Sequence, residues 1–151
     1  MKKFWKLLVG LAITLSLTGC FGEDYNFNPP TLTLSSNSNL ESEELAIANS
    51  NWRGEGNKPI EQETTDIASL ASKQEPMNFG AGEKVDLLFE HADFETEEIN
   101  VSVLHNNQKV DLEVHDISFT LPKDNGEYVV EVNLRTDRGN VQYIGKLNIV
   151  E

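Results

Sequence analysis

Residues 99–115 read Ile99-Asn100-Val101-Ser102-Val103-Leu104-His105-Asn106-Asn107-Gln108-Lys109-Val110-Asp111-Leu112-Glu113-Val114-His115. Ile99, Val101 and Val103 alternate with polar residues, and beyond Asn106-Asn107 so do Val110, Leu112 and Val114. Alternation with period two marks a strand that buries one face, whereas a helix would scatter the same side chains around its axis. Asparagine tolerates the left-handed backbone that a two-residue hairpin turn requires. With Asn106-Asn107 as that turn, Val103 faces Val110, Val101 faces Leu112 and Ile99 faces Val114. One face of the hairpin is then apolar and in register, the condition for a half-buried antiparallel pair.

The pattern recurs on both sides. Downstream, Ile117–Leu121 is a short strand stopped by Pro122, and Asp124-Asn125-Gly126 turns the chain. Tyr128, Val130, Val132 and Leu134 then share one face, Asp137-Arg138-Gly139-Asn140 turns it again, and Val141, Tyr143, Leu147 and Ile149 fall in phase. Upstream, Val85–Phe89 follows a glycine-containing lead-in, and Leu45–Trp52 is a first strand ending on an aromatic ring. Arg53-Gly54-Glu55-Gly56-Asn57 reads as a loop, and Thr65–Ala71 as one or two helical turns begun by cap-type residues. Six or seven short strands at this spacing predict a mainly β chain, a small antiparallel β-sandwich over residues 45–151 with a short helix.

Residues 20–44 differ in character. They are rich in Asn, Ser, Glu, Pro and Thr, with Pro29-Pro30 and Ser35-Ser36-Asn37-Ser38-Asn39, and carry no basic residue. Such composition buries little apolar surface, so the segment is expected to be a disordered tether. A flexible chain of this length spans on the order of 25–30 Å.

The N-terminus has its own logic. Met1-Lys2-Lys3-Phe4-Trp5-Lys6 is basic, and the run Leu7–Leu17 is apolar but too short to cross a bilayer, which takes about 20 residues. A basic start, a short apolar stretch and then small residues is the layout of a secretory signal, here residues 1–19. Leu17-Thr18-Gly19-Cys20 resembles the lipobox of bacterial lipoproteins. The resemblance implies cleavage between Gly19 and Cys20 and a diacylglycerol on the Cys20 thiol, placing the protein outside the cytoplasm on a membrane, with Gram-positive type favoured. Cys20 is the single cysteine, so it has no disulfide partner in the chain. Two acyl chains hold a protein where one is marginal.

Removing Lys2, Lys3 and Lys6 with the signal moves the formal charge from −13 to −16. So acidic a chain is a poor ligand for nucleic acid, whose phosphates are neutralised by Lys and Arg. No cofactor is implied. His91, His105 and His115 are read as surface residues rather than metal ligands, and no Gly-x-Ser-x-Gly elbow or phosphate-cradling glycine loop occurs. Asp93, Glu95, Glu97 and Glu98 have oxygen ligands to offer calcium, but not at the spacing of a calcium loop, and read better as a solvated connection. Trp52 and Arg53 are the candidate interaction residues. An exposed Trp anchors partners, although a Trp ending a strand more often plugs the core.

The stretch from Gly126-Glu127-Tyr128 through Tyr143 to Ile149 resembles the last hairpin of immunoglobulin-like domains. Residues 45–151 are similar to small Bacillus-type lipoproteins of unassigned function, through Trp52, Asp66, Gly82-Glu83 and Pro122, Gly126, Tyr128. Members often carry a cysteine pair that this chain lacks. The resemblance implies an immunoglobulin-like fold and no particular chemistry. The expected function is a non-enzymatic, membrane-anchored binding or structural module of the cell envelope, with an unidentified protein or envelope ligand as partner. The alternative is an inhibitor or accessory subunit of a secreted enzyme such as a protease.

Overall fold

The structure is a computed structural model that describes residues 26–37, 42–91 and 93–151. The expected signal peptide, the expected cleavage between Gly19 and Cys20 and the expected lipidation of Cys20 lie outside the described residues.

Two sheets stack into a sandwich. The first holds β1 (Leu32–Ser35), β2 (Glu43–Glu44), β6 (Lys84–Phe89), β9 (Val114–His115) and β10 (Ser118–Thr120), in the order β2-β1-β6-β10-β9. The second holds β3 (Ala46–Arg53), β4 (Pro59–Gln62), β5 (Pro76–Gly80), β7 (Thr96–His105), β8 (Gln108–Leu112), β11 (Gly126–Thr136) and β12 (Gly139–Val150). Its order is β4-β3-β12-β11-β7-β8. All pairs are antiparallel except β5, which runs parallel to the second half of β12. β3 takes the first half of that same edge, from Gly139↔Trp52 to Ile144↔Ala46. Between the two contacts lies Gly145, where a Cβ would stand 2.2 Å from Leu45 Cδ2. A larger residue there would force the Leu45 and Met77 side chains to move.

The alternating residues fill the space between the sheets. Leu32, Leu34, Val85, Leu87 and Phe119 form one buried cluster with Val101, Val103, Val130, Val132, Leu134, Tyr143 and Leu147. Each such side chain removed from water contributes roughly 1.5–3 kcal/mol. A single six-residue helix, α1 (Ile67–Ser72), packs on the opposite face of the second sheet. Asp66 caps it by accepting from the Ser69 N–H at 2.9 Å, and Ala71 meets Ala48 and Ile144.

The 99–115 hairpin forms with Asn106 and Asn107 at φ 49° and 62°, and Val103↔Val110 and Val101↔Leu112 pair as the alternation predicts. Val114 does not face Ile99. The chain leaves the second sheet after Leu112, and Val114 pairs with Phe119 in the first. That crossing joins the two layers, and it leaves Val110 more than half exposed at the rim.

The folded body also begins earlier than residue 45. Leu32 and Leu34 are fully buried, and β1 pairs with β6 from Leu32↔Phe89 to Ser35↔Asp86. The Tyr143 hydroxyl donates to the Pro30 carbonyl at 2.7 Å inside the core and fastens the approach to β1. Two leucines suffice because a ready-made strand edge receives them. So part of the segment expected to be tether is structural.

Candidate functional site

Outward-facing residues of the second sheet are brought into rows by its register. Asn49, Gln142, Asn133 and Asn100 stand side by side across β3, β12, β11 and β7. The next row, two residues along each strand, is Glu61, Asn51, Asn140, Arg135 and Glu98 across five strands. Adjacent strands lie about 4.8 Å apart, so each row repeats at that pitch. The rows floor a groove of about 770 Å³, walled on one side by Glu61, Gln62, Glu63 and Thr64. Helix α1 covers the neighbouring part of the same face at Ile144, which sets the end of the groove.

The first row is held rigid. Asn49 accepts from the Thr64 N–H at 2.7 Å and donates through Nδ2 to Oε1 of Gln142. Gln142 and Asn133 donate to Oε1 of Glu131 at 3.0 and 2.8 Å, and Lys109 donates to its Oε2 at 3.1 Å. Burial alone would raise the Glu131 pKa. The hydrogen bonds from Asn133, Gln142 and Lys109, with the Lys109 charge, outweigh it and hold the carboxyl below its ordinary 4.5. In the second row, Arg135 is pinned by Glu97 and Glu98, each at 3.1 Å. The carboxamides of Asn51 and Asn140 make no hydrogen bond among the described residues and line the groove.

Trp52, a candidate interaction residue, is 2% exposed. It meets Phe94 edge-to-face at 5.8 Å, and Phe94, Phe89 and Tyr143 continue the aromatic string into the core. Its large ring faces inward because Trp52 shares the phase of Ser50 rather than that of Asn51. It is therefore a core plug and not a surface anchor. Arg53, one residue on, is exposed and lines a second cleft of about 450 Å³ that adjoins the groove.

The histidines stand apart from both concavities. His105 stacks on Tyr128 at 4.4 Å, with Nδ1 2.7 Å from the Glu127 carbonyl and Nε2 2.8 Å from Asn106 Nδ2. Both contacts are satisfied when Nδ1 carries the proton. His115 lies 3.5 Å from Glu113 at the surface, and His91 is exposed with φ 58°. Of the acids 93–98, Glu97 and Glu98 are engaged through their carboxylates and Glu95 through its backbone. The Glu95 N–H donates to Asp137 Oδ1 at 2.8 Å, while Glu97 and Glu98 hold Arg135. Among the described residues no three His, Cys, Asp or Glu side chains gather as a metal centre, and no helix is long and apolar enough to cross a membrane.

Sequence reading passed over the groove residues because Asn or Gln between two apolar residues simply reads as the wet side of a strand. A signal was present nevertheless. Asn is depleted in strands, yet Asn49, Asn51, Asn100, Asn133 and Asn140 all occupy them. No known family model and no curated protein matches this chain.

Proposed function

We propose that this chain is a lipid-anchored, extracytoplasmic protein whose sandwich is a non-enzymatic binding module of the cell envelope, with the groove on the second sheet as its ligand surface. The observation that carries the binding half is the amide floor. Its first row is pre-ordered through Glu131, and its second row keeps Asn51 and Asn140 unengaged. Groups fixed in advance lose little freedom on binding, and carboxamides donate and accept at once. The anchoring half rests on Leu17-Thr18-Gly19-Cys20 and its distance from the basic start.

Two measurements test it. Intact mass of the membrane-extracted protein is expected to equal residues 20–151 plus diacylglycerol, with Cys20→Ala lost from the membrane fraction. An unmodified chain of full length would remove the anchor and the location together. Capture from envelope extract is expected to recover a ligand that Asn51→Ala/Asn140→Ala releases; recovery unaffected by that pair would move the ligand off the groove.

A further inference from the structure

A sheet edge with free backbone N–H and C=O groups is either blunted or open to pairing with another strand. The sandwich blunts most of its edges. β2 and β9 have two residues each, and β4 begins at Pro59. β5 begins at Pro76, and its Gly80 N–H is taken by Glu83 Oε2 at 2.6 Å. β8 is different. It ends the second sheet, has five residues and no proline, and among the described residues no strand pairs with its outer side. Gln108, Lys109, Val110 and Asp111 are all exposed, Val110 at 52%.

The hairpin fixes which groups point outward. In a two-residue hairpin the pair flanking the turn exchanges both backbone bonds, and bonded pairs then alternate along the strands. His105↔Gln108, Val103↔Val110 and Val101↔Leu112 are therefore bonded within the sheet, while Lys109 and Asp111 turn their N–H and C=O groups to the open side. A second β8 laid antiparallel bonds only where two outward residues face each other. Centred on Lys109 or on Asp111, the pair sets lysine against lysine or aspartate against aspartate. Centred on Val110, it sets each Lys109 against the other copy's Asp111, with every outward group bonded. Opposite charges facing each other on paired strands stabilise, and like charges do the reverse. In this register Gln108 faces Leu112 and Asn107 faces Glu113, so no like charges meet.

The side chains are ready for that arrangement. Asp111 makes no ion pair or side-chain hydrogen bond among the described residues. Lys109 donates to Glu131 Oε2 at 3.1 Å yet stays 52% exposed, and its ammonium keeps further donors. The overall charge of −13 opposes self-association, but β8 itself carries one charge of each sign. At physiological salt, charges beyond about 8 Å are largely screened. We propose that β8 is a homodimer edge, on which two copies join antiparallel about a two-fold axis at Val110 and continue the second sheet across both chains. A five-residue edge buries less than the roughly 800 Å² per partner of a standard interface, so the pair forms where copies are concentrated. The proposal is independent of the groove as ligand surface.

The test has two arms, both on the purified full chain in detergent. The first is oxidative cross-linking of single substitutions, with the parent, whose one cysteine is Cys20, as background. Two Val110 Cα atoms at a non-bonded antiparallel site lie about 4.5 Å apart, within disulfide range. Two Gln108 positions are offset by four residues, roughly 14 Å, and lie outside it. Val110→Cys is expected to give at least about tenfold more self-linked dimer than Gln108→Cys. The second arm is sedimentation in density-matched detergent. Lys109→Asp and Asp111→Lys are each expected to abolish the dimer at concentrations where the parent forms it. An equimolar mixture of the two is expected to restore it, because aspartates then face lysines. Equal cross-linking at 108 and 110, or no self-linked product, would overturn the proposal and leave the groove untouched. Charge variants that melt like the parent and still dimerise would also overturn it. A Val110→Cys adduct formed in cell extract with another protein, in place of the self-linked pair, would overturn it in favour of a foreign strand. Should a charge variant fail to fold, the cross-linking arm decides alone.

Discussion

Replacing Tyr143 by Phe removes one hydroxyl and leaves the ring, so the effect isolates the bond to Pro30. Both partners are buried, and the Pro30 carbonyl would be left without its donor. An acceptor orphaned in that way costs about 1–3 kcal/mol. For a folded body of this size the loss corresponds to a melting temperature lower by roughly 4–12 °C at neutral pH. The hydroxyl also titrates, and burial first, then the Glu44 charge, pushes its pKa far above the ordinary 10.0. In the unfolded chain it ionises near 10, so above that pH the unfolded state binds fewer protons than the native state. Stability from Tyr143 is therefore fully present below about pH 10 and falls by about 1.4 kcal/mol per pH unit above it. The Phe variant lacks this slope, and tyrosines common to both proteins cancel in the difference. Urea denaturation of both proteins from pH 7 to 11.5 is expected to show the gap closing as pH rises. A gap that stays constant, or no gap at pH 7, would refute a buried, bonded hydroxyl.

Other perturbations probe other parts. Leu32→Ala should lower stability by about 2–5 kcal/mol in chemical denaturation, because β1 lies in the core; a purely flexible segment would give no change. Gly139→Ala places a Cβ 2.1 Å from the Asn51 carbonyl at φ +142°, and at least about 2 kcal/mol should be lost in thermal unfolding. Glu131→Gln should remove a contribution that the parent holds above about pH 4.5 and loses as pH falls through the depressed native pKa. Comparison of the two proteins between pH 3 and 7 should show them converging in acid, and a double-mutant cycle with Lys109→Ala should give a coupling near 1 kcal/mol.

Strong alternation made most of the sandwich legible. Val130, Val132 and Leu134, or Val141, Tyr143 and Leu147, announce their buried face without help from the rest of the chain. Leu32-Thr33-Leu34 carries the same signal in only three residues, and surrounding Pro, Ser and Asn drown it. Pro76–Gly80 contains Asn78 and Gly80, poor strand formers that pair because the end of β12 offers an open edge. Val114 obeys the alternation and still joins the other sheet, since period two says which face a residue takes but not which neighbour it meets. The candidate site was the least legible part. Its residues come from β3, β4, β7, β11 and β12, and nothing in one strand records the register that aligns Asn49 with Asn100.

The position of β12 has a consequence for how the chain is made. This strand follows all the others in sequence, yet it touches β3, β5 and β11 and supplies the edge on which two of them meet. Until residues 139–150 leave the ribosome, β5 has no strand to pair with, β3 has only β4, and the second sheet lacks its centre. The two halves of the second sheet therefore join only once β12 is present, and long-range pairing of this kind closes slowly. On the proposed extracytoplasmic location, late closure would keep the compact state from forming before the chain crosses the membrane.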